Sequence, residues 1–204
     1  FAVTMVMLSV YVTLLVVQKQ RARAVGFLGF AAVLVFGAMS LSIALGGAGV
    51  QERFLTFLQE NPADLYFKSR GNQIQTAMTV LLSEYPAGAG LARWGVMSGY
   101  FGVPGSLRLG VDVQPLAWLY DGGLFLIAAY GIALVATVVW ELKLVLRLPD
   151  PNDQLWAAAI VAANIGTLVL VFTFVPFATQ IGTQFWFLEG LLHGAMTMKL
   201  REWQ

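Results

Sequence analysis

Long apolar runs separated by short polar breaks make up most of this chain. Residues 1–17, 24–45, 124–140, 154–175 and 184–200 come close to, or reach, the ~20 apolar residues that a bilayer-crossing helix needs. The pattern changes once, between about Gly46 and Gly123, where charged and polar residues, glycine and proline dominate. Within that interruption, residues 50–60 put Val50, Phe54, Phe57 and Leu58 on one helical face, which predicts an amphipathic helix lying on the membrane or on other helices. Asn61-Pro62-Ala63-Asp64 breaks that helix and supplies the cap of the next. Residues 68–84 predict a helix that is polar at its start and apolar later, ended by Tyr85-Pro86-Ala87-Gly88-Ala89-Gly90. Residues 91–114 read as irregular. The chain returns to the membrane at Pro115, with Trp118 and Tyr120 suited to the interface. Residues 141–153 predict a short loop and 175–183 a tight reversal. Gly26, Gly29 and Gly37 in the second run, and the Gly190/Gly194 pair in the last, predict close helix approach.

The reading is an all-α polytopic membrane protein with about five transmembrane helices. Two helices fall in residues 1–45, a partly helical loop in 46–123, and three helices in 124–204. Composition agrees: 58% of the 204 residues are hydrophobic and 11% charged, against about 25% charged in a soluble domain. A net charge of +1 gives no footprint for nucleic acid, and the absence of cysteine removes disulfides and thiolate sites. The first residue is Phe1, and no basic segment precedes the first run, so that run is not expected to be a signal peptide. The chain is expected to be a piece of a larger membrane protein.

Charge placement predicts orientation. Lys19, Arg21 and Arg23 follow the first run, Lys143 and Arg147 lie between the third and fourth, and Lys199 and Arg201 end the last. With five crossings all seven share one side, which the positive-inside rule makes cytoplasmic. The long loop then faces the periplasm or cell exterior, across a bacterial inner membrane.

Candidate chemistry concentrates in that loop. Arg70, Arg93 and Arg108 lie where the chain folds back on the membrane surface, and guanidinium forks bind phosphate bidentately. Each could equally pair with an acid such as Asp64, Glu84 or Asp121. Gly88 and Gly90 form a Gly-x-Gly that could bring backbone amides to an anion, or simply turn the chain. Asp112 could act as a general base on a sugar hydroxyl, and Asp112 or Asp121 could cap a helix. In the last run Glu189 and the single histidine, His193, share a helix face. They are either one satisfied polar pair in a helix contact or an intramembrane proton relay. No grouping has metal-ligand spacing, and no Ser-His-Asp arrangement is visible.

The order of these pieces resembles the signature loop of the O-antigen ligase and O-antigen polymerase superfamily. Arg70 opens a helix running Arg70-Gly71-Asn72-Gln73-Ile74-Gln75-Thr76-Ala77 into Leu81-Leu82. Glu84-Tyr85-Pro86-Ala87-Gly88-Ala89-Gly90 is similar to that family's Pro-x-Gly-x-Gly, and residues 112–124 resemble its His-Asn or Asp-Asn segment leading to an acid and a Gly-containing helix entry. The resemblance covers about residues 68–139. It implies a membrane glycosyltransferase that passes a glycan from undecaprenyl diphosphate to another repeat unit or to a lipid-linked acceptor, without a nucleotide sugar, cofactor or metal. It implies that Arg70, with Arg93 or Arg108, holds the donor's diphosphate and that Asp112 sits by the acceptor hydroxyl. Gly88, Gly90 and Asp121 would line the substrate. Ligases usually carry His where Asp112 stands and often Asn where Val113 stands, so polymerase is expected before ligase. Further donor-binding arginines would come from an N-terminal half not in this chain. Two other readings remain: a transporter or channel fragment using Glu189 and His193, and a non-catalytic membrane scaffold.

Overall fold

A computed structural model describes residues 2–59, 61–91, 94 and 111–202, and these residues contain helices and turns but no strand. Helix α1 (Ala2–Val17) turns sharply into α2 (Arg21–Gln59). Lys19 takes φ 63° in that turn, and the Gln20 N–H bonds back to the Leu15 carbonyl at 2.8 Å. Helix α2 breaks at Gly47, φ 61° and ψ −155°, inside the glycine run. Helix α3 (Pro62–Thr76) starts at Pro62 rather than at Lys68, because the Asn61 side chain accepts the Ala63 N–H at 3.0 Å and proline suits the first turn. A π-turn (Ala77–Leu81) and the short α4 (Leu82–Glu84) complete that arm. Helices α5 (Gln114–Arg147) and α6 (Pro151–Leu170) follow. A 3-10 turn (Pro176–Ala178) leads to α7 (Gln180–Glu202).

Among the described residues, three helical segments are long and apolar enough to cross a membrane: Arg21–Gly47, Gln114–Arg147 and Pro151–Leu170. The apolar part of α1 (Val3–Val17) is shorter, and α7 is interrupted by Gln184, Glu189, His193 and Lys199. On length and composition the described residues are those of a helical membrane protein, with three such segments among them where the hydropathy pattern predicts five.

The predicted loop over 141–153 is mostly helix. Helix α5 runs on to Arg147, because Glu141, Leu144, Val145 and Leu148 keep helical spacing and are all buried. Only 148–150 remain as the connection, and Asp150 caps α6 by accepting the Asn152 N–H at 2.6 Å. The main core joins α1, α2, α5, α6 and α7 around Leu15, Ala24, Val145, Ala158, Val161 and Leu192. At the same end Gln20 donates to Gln154 at 2.9 Å, Arg23 donates to Asn152 at 3.1 Å, and Lys199 pairs with Asp153. The two short basic connections and the end of α7 thus share one end of the bundle.

The glycines expected to bring helices together do not do so within this chain. A Cβ at Gly26, Gly29, Gly37, Gly190 or Gly194 would meet nothing within 4 Å. Helix α2 meets α1 on another face, where Tyr11 packs edge-on against Phe27 with ring centres 4.5 Å apart.

Candidate functional site

The opposite end of the bundle carries the arm of α3, the π-turn and α4. Its base is the first two turns of α5, where Gln114, Ala117, Trp118, Leu119 and Tyr120 are buried. A small core of Ala77, Leu81, Val111, Ala117, Leu119 and Tyr120 fastens the arm of α3, the π-turn and α4 to those turns. On the other side Trp118 stacks on Tyr130 at 4.6 Å between ring centres, with Phe177 at 5.7 Å from Trp118.

Glycine sets the crossing between loop and helix. Helix α5 breaks at Gly122 and Gly123, the latter at φ 64° and ψ −155°. A Cβ on Gly123 would stand 2.2 Å from the Pro86 carbonyl oxygen and 2.7 Å from the Gly88 nitrogen. A Cβ on Gly88, itself at φ 88°, would stand 2.7 Å from the Gly122 nitrogen and Cα. Two bare backbones are therefore in direct contact. The Ala89 N–H donates to the Tyr120 carbonyl at 2.7 Å and the Leu124 N–H to the Pro86 carbonyl at 3.3 Å. The Gly88 N–H donates to Tyr85 within its own turn. Gly90 turns the chain at φ 102°. Asp121, at the break, accepts the Trp94 indole N–H at 2.9 Å.

Arg70 and Asp112 are brought together through Gln73. Arg70 and Gln73 lie three apart on α3 and share a face. Gln73 donates from Nε2 to Asp112 Oδ2 at 3.1 Å and accepts the Asp112 N–H at 3.3 Å. Arg70 donates from Nη2 to the Thr173 carbonyl at 3.1 Å, and its Nε is buried with no hydrogen-bond partner among the described residues. The same reversal receives Gln114, whose backbone N–H reaches the Val171 carbonyl at 3.0 Å and whose side-chain oxygen accepts the Phe177 N–H at 2.9 Å. Residues 171–177 therefore act as a platform that fixes Arg70 from one side and the start of α5 from the other. Asp112 is exposed and held by Gln73.

Arg93 and Arg108 lie outside the described residues. Gln73, Gln114 and the Thr173 carbonyl carry this geometry but have no motif of their own. Helical spacing from Arg70 singles out Gln73; nothing in the sequence marks the other two.

Glu189 and His193 do not form a pair. Glu141, buried in α5, accepts from Asn164 of α6. His193 stacks on Trp140 with ring centres 5.5 Å apart. Glu141 and Asn164 went unremarked in the sequence because one stands near the end of an apolar run and the other is a lone amide. An apolar cavity of about 330 Å³ lies elsewhere, between α1, α2 and α6, lined by Tyr11, Phe27, Val35, Ala159 and Ala162 among others. Among the described residues no group of three or more His, Cys, Asp or Glu could hold a metal ion.

These features define, among the described residues, an all-helical membrane protein with the arm of α3, the π-turn and α4, which carries Arg70, packed on one end of its helices. No protein family, curated protein or solved structure matches the chain.

Proposed function

We propose that the loop transfers glycan from a polyprenyl-diphosphate-linked donor to a glycan or lipid-linked acceptor at the outer face of a bacterial inner membrane, as a polymerase before a ligase. The observation that carries the reading is the Arg70–Gln73–Asp112 array on the 171–177 platform. A guanidinium and a carboxylate at one surface, next to a helix entry, are the two charges that inverting transfer from a diphosphate needs. Arg70 has one N–H on Thr173, and its buried Nε–H has no partner among the described residues, a donor suited to a phosphate oxygen. It stabilises the charge that develops on the leaving diphosphate. Asp112 takes the proton of the attacking hydroxyl as that oxygen bonds to the anomeric carbon and the diphosphate departs. Gln73 fixes Asp112 relative to Arg70, and the Gly88–Gly123 contact fixes the loop over the helix entry.

The test is complementation of a surface-glycan polymerisation defect by the full-length protein, with Arg70→Ala and Asp112→Ala alongside. Both variants are expected to reach the membrane at normal levels and to leave only short glycan. Normal glycan length with both would overturn the proposal.

A further inference from the structure

The apolar cavity between α1, α2 and α6 runs towards a fixed positive charge at the basic end of the bundle. On α2, Phe27, Ala31 and Val35 line it at one-turn spacing, and Arg23 stands one turn before Phe27 in the same row. On α6, Ala159 and Ala162 line it, and Asn152 lies two turns before Ala159 on the same face. The two rows meet at their ends. Arg23 Nη2 donates to Asn152 Oδ1 at 3.1 Å, and Nη1 donates to Gln20 Oε1 at 2.9 Å and to the Pro151 carbonyl at 3.2 Å. All three acceptors are neutral. Among the described residues no carboxylate pairs with Arg23; of the acids at the start of α6, Asp150 caps the helix and Asp153 pairs with Lys199. The guanidinium is therefore held in place, keeps its full charge and has N–H groups to spare.

The candidate spans Arg21–Gly47, Gln114–Arg147 and Pro151–Leu170 each have one end at this level, so Arg23 stands at the edge of the hydrocarbon layer. Lys19 and Arg21 precede it and are exposed. Along α2 the cavity extends from about 6 to about 18 Å beyond the Arg23 backbone, the depth of one leaflet's chains. It is not sealed: Thr4, Phe27 and Val35 of its lining are exposed, so it opens sideways to lipid. Its width decides the occupant. A volume of about 330 Å³ over ~12 Å of length leaves a cross-section of roughly 30 Å². A helix ~10–12 Å across needs roughly 80 Å² or more, so no partner helix fits, whereas an extended hydrocarbon chain does. A chain-wide apolar slot ending at an unpaired cation at headgroup level matches an anionic phospholipid.

We propose that the α1–α2–α6 cavity binds an anionic glycerophospholipid, with one acyl chain in the cavity and the phosphate on Arg23. The guanidinium fork takes phosphate oxygens, and Lys19 and Arg21 add to the attraction. The bound chain ties α1 and α6 to α2, whose apolar window the rest of the chain leaves unburied. The site lies at the end opposite Arg70 and Asp112 and is independent of the proposed glycan transfer.

The experiment titrates the full chain, delipidated in detergent, with phosphatidylglycerol or with phosphatidylcholine of the same acyl chains. Native mass spectrometry counts bound lipid and thermal unfolding runs alongside. Phosphatidylglycerol is expected to bind roughly tenfold or more tighter than phosphatidylcholine, and to raise Tm by roughly 3–6 °C at ten times its Kd. Ala31→Phe fills the cavity with an apolar side chain and is expected to fold and to lose both effects. Arg23→Gln is expected to bind the two lipids equally, and Arg23→Lys to regain part of the preference. Glycerol phosphate, a headgroup without chains, is expected to leave Tm unchanged. The comparison of the two lipids on the parent chain needs no variant, and equal affinity there would overturn the proposal. So would phosphatidylglycerol stabilisation retained in Ala31→Phe, or glycerol phosphate stabilising as well as the whole lipid. A polyprenyl phosphate that displaces phosphatidylglycerol at equal concentration would also overturn it, by making the cavity a site for a different lipid.

Discussion

Replacing Gly123 by alanine tests whether the loop is locked on the helix by backbone contact. Alanine there must hold φ 64°, a conformation that costs a non-glycine residue about 1–3 kcal/mol. Its Cβ would stand 2.2 Å from Pro86 O, 2.6 Å from Ala87 C and 2.7 Å from Gly88 N. All three are backbone atoms, so no side chain can rotate away and the whole turn must retreat. Retreat breaks the Ala89-to-Tyr120 and Leu124-to-Pro86 hydrogen bonds, each worth about 0.5–1.5 kcal/mol. The combined loss is about 4 kcal/mol, or roughly 8–16 °C in Tm for a chain of this size. Gly131→Ala is the control. It lies in the same helix, nothing stands within 4 Å of its Cβ, and helix propensity predicts a gain of up to about 1 kcal/mol. Thermal unfolding in nanodiscs measures both. Hydrogen exchange at the Ala89 amide reports the turn itself, and it should accelerate in Gly123→Ala alone. If Gly123→Ala melts within about 2 °C of the parent, the contact does not hold the loop and the argument fails.

Other substitutions probe the platform and the basic end. Gln114→Ala leaves the Phe177 N–H without its acceptor and should cost about 1–3 kcal/mol in denaturant unfolding, whereas Gln114→Glu, which keeps an oxygen there, should cost less. Gln73→Ala removes the two contacts to Asp112; glycan extension should fall by about an order of magnitude or more while Tm moves by no more than about 2 °C. Equal glycan ladders from parent and variant would remove Gln73 from the mechanism. Lys199→Ala breaks the exposed pair with Asp153 and should change stability by less than about 1 kcal/mol, with little dependence of Tm on added salt.

The hydropathy pattern was enough to place most helices, because burial in lipid demands long apolar runs and only helices satisfy their own backbone there. Two places where the sequence suggests that helices end or begin are instead breaks inside longer helices, at Gly47 in α2 and at Gly122 and Gly123 in α5. The Asn61 cap was readable, since an Asn-Pro pair before a helix has one local job. The pattern failed at 141–153, where Glu141 and Lys143 looked like the edge of a loop. Helical spacing of Leu144, Val145 and Leu148 carried the helix on, and a hydrogen bond from Asn164 of α6 made a buried Glu141 tolerable.

The candidate site divides the same way. Arg70, Gly88 and Asp112 stood out by residue type and order, but sequence could not say what touches them. The pairing of Gln73 with Asp112 spans 39 residues and that of Arg70 with Thr173 spans 103. Separations of that size are set by how helices pack. Gly88 shows it most clearly: the sequence marked it as a turn or an anion cradle, and the fold uses it to let two backbones touch. Glu189 and His193 share a helix face by spacing alone, yet tertiary packing stacks His193 on Trp140. Local rules fixed the helices and their caps, because these depend on neighbours within a few residues. Which polar groups meet depended on α5, α6 and α7 coming together, and only the tertiary structure decides that.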